Sequence, residues 1–196
     1  MNNIALNIID DSNMEYYKFH SFQTLMWDEG DSDMDFLEYW IQEEDIDEDK
    51  MTSYQSQFTP LFGTGDGGNY CLWNYEGLEG DAPVVFFGSD GQYEMVAASL
   101  SDYAHLLASG KTCDVESSFN GIWEKDLSSY YIDDVQEEFE LGTYEEAEAL
   151  VLKDLNDFKS EVELKLGESK SVEFYLNNIT KHLNFKTFIE SIDNTK

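Results

Sequence analysis

Residues 58–97 constrain this chain most, because clusters of strand-forming residues alternate there with glycine and acid at a spacing that suits tight antiparallel turns. Aromatic and β-branched side chains concentrate at 70–75, 84–87 and 93–97, separated by Asp66-Gly67-Gly68, Glu79-Gly80-Asp81 and Ser89-Asp90-Gly91. The pattern predicts an antiparallel meander. Val84, Val85, Phe86 and Phe87 are apolar on both faces, which predicts a central strand covered by helices on one side and by strand or chain on the other.

Helices bracket this stretch. Ser99 stands as an N-cap with Asp102 three residues on, Leu100, Tyr103, Ala104 and Leu107 form one stripe, and Gly110 ends it. His105 on that helix is expected at the surface or in a groove rather than as a catalytic base. Residues 111–127 read as a connection, and 130–141 fit either strand or helix. Thr143 and Glu146 then form a capping box, and Ala147, Val151, Leu155, Phe158 and Val162 recur at helical spacing. This predicts a helix over 144–166 that buries Val151, Leu155 and Phe158 and is closed by Gly167. Val172, Leu176, Ile179 and Leu183 mark a last helix running on to Phe188 or Ile192. The expected fold is α+β in one domain over 1–196: a mainly antiparallel sheet flanked by helices, with its core about 58–110 and a C-terminal helical hairpin within about 143–192. Neither late helix carries the sustained heptad of a coiled coil.

Composition narrows the partners. With 42 Asp plus Glu against 11 Lys plus Arg, the formal charge is −31, so the chain repels nucleic acid and anionic membrane and attracts basic protein surfaces. Such charge alone would suggest disorder, but 41% hydrophobic and 15% aromatic residues supply a core. The N-terminal residues lack the basic and apolar segments of a signal peptide, and no apolar run approaches the roughly 20 residues that span a bilayer. Cys71 and Cys113 fit neither a disulfide framework nor a zinc site. A reducing cytoplasm is the expected compartment, and the sequon at Asn178 is read as chance.

Several motifs fail on mechanism. Gly63-Thr64-Gly65-Asp66-Gly67-Gly68 spells a dinucleotide fingerprint, but the fingerprint must open a helix, and Asn69-Tyr70-Cys71-Leu72-Trp73 reads as strand. Asp31, Asp33 and Asp35 imitate an EF-hand, yet Phe36 replaces the turn glycine and Gln42 the bidentate acid. Cys71 alternates within a strand and reads as a core thiol. No cofactor, metal or catalytic constellation is expected.

Residues 28–49 concentrate acid, with Phe36, Leu37, Trp40 and Ile41 at helical spacing behind Ser32, so a short amphipathic helix is expected over 33–43. Its acids read either as a solvated face over a core-facing stripe or as a partner-binding patch. In the second reading Asp33, Asp35, Glu38, Glu43, Glu44, Asp45, Asp47 and Glu48 steer a basic partner while Tyr39 and Trp40 anchor it. The alternative interface lies along the sheet turns near Asp66, Glu79, Asp81 and Asp90.

FGTGDGGNYCLW, PVVFFGSDG and VAASLSDYAHLLA together resemble the SUKH superfamily, the SMI1/KNR4 group, over residues 64–107. That pattern joins a glycine-acid turn and aromatic-ended strand to a Pro-Val-Val strand and a serine-capped helix. The Leu-Pro and Asn-Gly segment that many members carry before the sheet has no counterpart here. The resemblance implies an α+β fold with no shared catalytic residues. Many bacterial members are immunity proteins that neutralise a toxin, often a nuclease; eukaryotic members act in cell-wall regulation. The expectation is a noncatalytic protein that binds a basic cognate toxin domain. The alternative is an acidic regulatory scaffold or nucleic-acid mimic that binds another basic protein.

Overall fold

The computed structural model describes residues 4–5, 7–8, 48–63, 68–88, 91–113, 123–126 and 132–193. After helix α1 (Glu48–Gln55), strands β1 (Phe58–Gly63), β2 (Asn69–Trp73), β3 (Val84–Phe87) and β4 (Tyr93–Ala97) form one sheet in chain order. Every neighbour pair is antiparallel, as the meander pattern predicts. Pro60 sits in edge strand β1, where a missing N–H is tolerated, and the register shifts between Pro60 and Phe62. The helix expected over 33–43 lies outside the described residues.

All four residues of β3 are buried. Val84 and Phe86 join Phe62, Tyr70 and Val96 on one face, against Leu100, Tyr103 and Leu107 of α2 (Leu100–Ala108) and Phe158 and Val162 of α4 (Tyr144–Leu166). Val85 and Phe87 join Phe58, Cys71, Trp73 and Met95 on the other. That second face is covered by a helix, α6 (Phe185–Asp193), through Phe185, Ile189 and Ile192, where strand or chain was expected. Burying each such side chain contributes about 1.5–3 kcal/mol, enough to commit a short helix to this face.

The caps form as local sequence dictates. Ser99 is extended and its Oγ accepts from Asp102 N at 3.0 Å. Gly110, at φ 74, leads out of α2. Thr143 Oγ1 accepts from Glu146 N at 3.2 Å, while the Glu146 carboxylate accepts from Gly142 N, one residue before the usual capping-box partner. Helix α4 buries Val151 and Phe158 but leaves Leu155 half-buried.

Further readings need correction, and one left open is resolved. His105 is 5% exposed, an interior residue rather than one at the surface or in a groove, because α2 is covered on the His105 side by Tyr175 and Ser169. Residues 111–127 contain a two-stranded antiparallel sheet, β5 (Lys111–Cys113) with β6 (Trp123–Asp126). It is fastened from outside: Trp123 is buried and its Nε1 donates to Val96 O at 2.9 Å. The ambiguous 130–141 segment holds helix α3 (Ile132–Glu138), which packs Ile132 and Val135 on Ala147 and Val151.

The last correction is at the C-terminal end, where one helix was expected and two form, α5 (Val172–Ile179) and α6. Thr180 ends α5, and Asn184 Oδ1 accepts from Thr187 N at 2.9 Å to start α6. An unbroken helix would have kept Leu183 on the α5 stripe; it is instead 54% exposed. The break carries the chain from one sheet face to the other. No helix among the described residues is long and apolar enough to cross a membrane.

Candidate functional site

An open groove of about 490 Å³ lies where three segments converge. The connection after β2 contributes Tyr75, Gly77, Glu79 and Asp81, the start of α2 contributes Ala98 and Asp102, and the end of α5 contributes Asn178, Lys181 and His182. Its first wall is shaped locally: Leu78 N donates to Tyr75 O at 3.1 Å with Gly77 at φ 82, the positive φ that a type II turn requires at its third residue. Pro83 O then accepts from Trp73 N at 3.0 Å and closes the base of the connection.

The histidine in this groove is fully engaged. His182 Nε2 lies 2.9 Å from Ala98 O, and a carbonyl only accepts, so this nitrogen carries the hydrogen. In the neutral ring Nδ1 then accepts, and the Tyr75 hydroxyl donates to it at 3.1 Å. Burial lowers the His182 pKa from the ordinary imidazole value, with Lys181 adding to the effect; the Ala98 carbonyl and Asp102 oppose it. Neither ring nitrogen is left to act as a general base.

The acids fall into two kinds. Asp102 Oδ2 accepts from Asn178 Nδ2 at 2.8 Å, and Asn178 Oδ1 accepts from Lys181 Nζ at 2.7 Å. Lys181 is therefore tied to an amide. Glu79 is exposed and Asp81 half-buried, and among the described residues neither makes a hydrogen bond or ion pair. No group of three or more His, Cys, Asp or Glu among the described residues could hold a metal ion.

Other candidate chemistry lies in the core. His105 stacks on Tyr175 with centroids 5.1 Å apart, its Nδ1 is 3.2 Å from Ser169 Oγ, and burial lowers its pKa. Cys71 is fully buried, and burial pushes its thiol far above the ordinary range. Cys113 packs against the α2 side of the sheet while Cys71 belongs to the α6 side, so the sheet itself separates the two thiols. Gly63 ends β1 and Asn69 begins β2, so the glycine-rich run joins two strands and opens no helix.

The residues expected to meet a partner, Asp33, Asp35, Glu38, Tyr39, Trp40, Glu43, Glu44, Asp45 and Asp47, lie outside the described residues, as does the side chain of Glu48. Of the alternative turn residues, Glu79 and Asp81 are brought into the groove; Asp66 and Asp90 lie outside the described residues. Sequence reasoning missed Tyr75, Asn178, Lys181 and His182 as site residues. Tyr75 and His182 stand 107 positions apart, and no local spacing signals such a pair.

No family model, curated protein or solved structure matches this chain.

Proposed function

We propose that this chain is a noncatalytic binding protein, an immunity-type inhibitor that neutralises a basic, nuclease-type toxin domain in the cytoplasm. The observation that carries the reading is a preorganised groove bearing two unpaired carboxylates on a chain of formal charge −31. A nuclease must present basic surface to hold phosphates, and an acidic inhibitor gains association rate and specificity from the complementary field. The likeness of residues 64–107 to the SUKH superfamily supports the same reading. So does the engagement of both His182 ring nitrogens, which keeps that imidazole from serving as a general base.

The test begins with the gene neighbourhood. An adjacent gene for a large secreted toxin should encode a basic C-terminal domain that arrests growth when expressed alone. Co-expression of this chain should restore growth and yield a stable stoichiometric complex. Persistent arrest with no complex would overturn the reading.

A further inference from the structure

We infer that α5 and α6 form a hinged pair that opens into one helix over 172–193 and carries α6 onto the sheet of a second copy, so that two chains exchange α6 and form a swapped dimer. Such exchange is independent of the inhibitor function.

The hinge lacks what ordinarily stops a helix. Thr180-Lys181-His182-Leu183-Asn184 holds neither glycine nor proline. Thr180 keeps helical dihedrals, φ −65 and ψ −10. Glu140 is the only described non-glycine residue with positive φ, so no residue of the hinge takes the left-handed conformation that commonly ends a helix. Lys181 N donates to Asn178 O at 3.0 Å and His182 N to Ile179 O at 3.1 Å, so the winding continues past α5 as a tighter turn. Only Leu183 and Asn184 stand outside helix, turn or bend. The side-chain pattern fits a straight path as well. Val172, Leu176, Ile179 and Leu183 would share one stripe on an unbroken helix, whereas the break leaves Leu183 54% exposed.

What α6 loses on opening, a second copy restores. Phe185, Ile189 and Ile192 pack into the second sheet face, with the Phe185 ring 5.0 Å from Trp73 and 5.5 Å from Phe87, and Lys186 Nζ lies 2.6 Å from Glu94. A freed α6 exposes these apolar side chains together, and the surface already shaped to them is the same face of another copy. Exchange keeps every one of these contacts, so its balance rests on the hinge. The closed form holds the His182 bonds to Tyr75 and Ala98 and the Asn184 cap on Thr187 N. The open form joins helices of 8 and 9 residues, each below the roughly 12–15 at which a helix holds by itself, into one long enough to do so. A formal charge of −31 on each copy opposes pairing, and salt should relieve that opposition.

The test refolds the full chain from urea at high protein concentration and raised salt, and reads its mass by light scattering after size exclusion. A dimer should form and revert slowly on dilution, because α6 must leave a sheet to return. Asn184→Ala removes the cap from the broken form and places the best helix former in the straight one, at both hinges of a dimer. Its association constant should rise at least about tenfold. Asn184→Ser keeps a capping oxygen and should stay within about threefold of the parent. Leu183→Pro, which a continuous helix does not accommodate, should hold the chain monomeric. In dimers assembled from labelled and unlabelled chains, isotope-filtered NOEs should connect Phe185 of one copy to Trp73 of the other. If Leu183→Pro does not fold, the two Asn184 variants and the filtered NOEs decide alone. Monomers throughout, equal association of the alanine and serine variants, or dimers whose Phe185 and Trp73 contacts stay within one chain would each overturn the exchange.

Discussion

The hydroxyl of Tyr75 donates to Nδ1 of His182 across 3.1 Å, and the opposite nitrogen of the same ring donates to Ala98 O. One imidazole thus fastens the β2–β3 connection, the end of the sheet and the α5–α6 turn to one another. Tyr75→Phe should remove the first bond while keeping the ring. The expected loss is about 0.5–1.5 kcal/mol, read as a lowered urea midpoint at unchanged slope. An unchanged midpoint would mean that the bond is absent in solution.

Acid should loosen the same region. Burial lowers the folded-state pKa of both His105 and His182 below the ordinary imidazole value of about 6.5. The unfolded chain therefore takes up protons first. The stability that the two neutral rings contribute is complete above the unfolded pKa and drains away as pH falls from about 6.5 toward the folded values. Relief of charge repulsion acts in the opposite sense as the carboxylates protonate, so the informative quantity is a difference. Between pH 7 and 5, His182→Gln should lose less stability than the parent chain. Parallel curves for the two proteins would refute this.

Helix α6 should contribute through its buried side. Phe185 meets Trp73 and Phe87 with ring centroids 5.0 Å and 5.5 Å away, so Phe185→Ala should cost about 3–5 kcal/mol and shift the Trp73 fluorescence. Leu183, two residues earlier and 54% exposed, should tolerate alanine within about 0.5 kcal/mol. Chemical denaturation of the two variants checks the contrast; similar losses would place Leu183 in the core.

Gly110 is constrained twice. Its φ of 74 disfavours any side chain, and a Cβ built there would stand 3.0 Å from Leu155 Cδ2. Gly77, at φ 82, has open space around it. Gly110→Ala should therefore destabilise by more than the roughly 1 kcal/mol expected of Gly77→Ala, where backbone conformation acts alone. Equal thermal shifts would show that Leu155 yields freely.

The sheet and the two capped helices were legible because their signals are local. Ser99 with Asp102 and Thr143 with Glu146 meet within one helical turn, and Val84 to Phe87 announce burial on both faces. Lys111-Thr112-Cys113 has no alternation that marks a strand; its pairing with β6 is fixed by Trp123 reaching Val96, 27 positions away. The break between α5 and α6 was hidden for a related reason. Val172, Leu176, Ile179 and Leu183 keep helical spacing into the turn, and only the uncovered sheet face beyond it rewards a change of direction. At the candidate site Glu79 and Asp81 were readable as a turn, while the partners that make a groove of it come from the far end of the chain.

The indole of Trp123 has one more consequence. With the Val96 carbonyl held by Trp123 and the Ala98 carbonyl held by His182, two main-chain acceptors along β4 and its continuation are closed to an incoming extended segment. Pro60 withholds a donor on the strand at the opposite border. A sheet this rich in aromatic residues would otherwise invite stacking of copies into fibres. Guarded at both borders, it offers an incoming strand fewer main-chain partners at either edge.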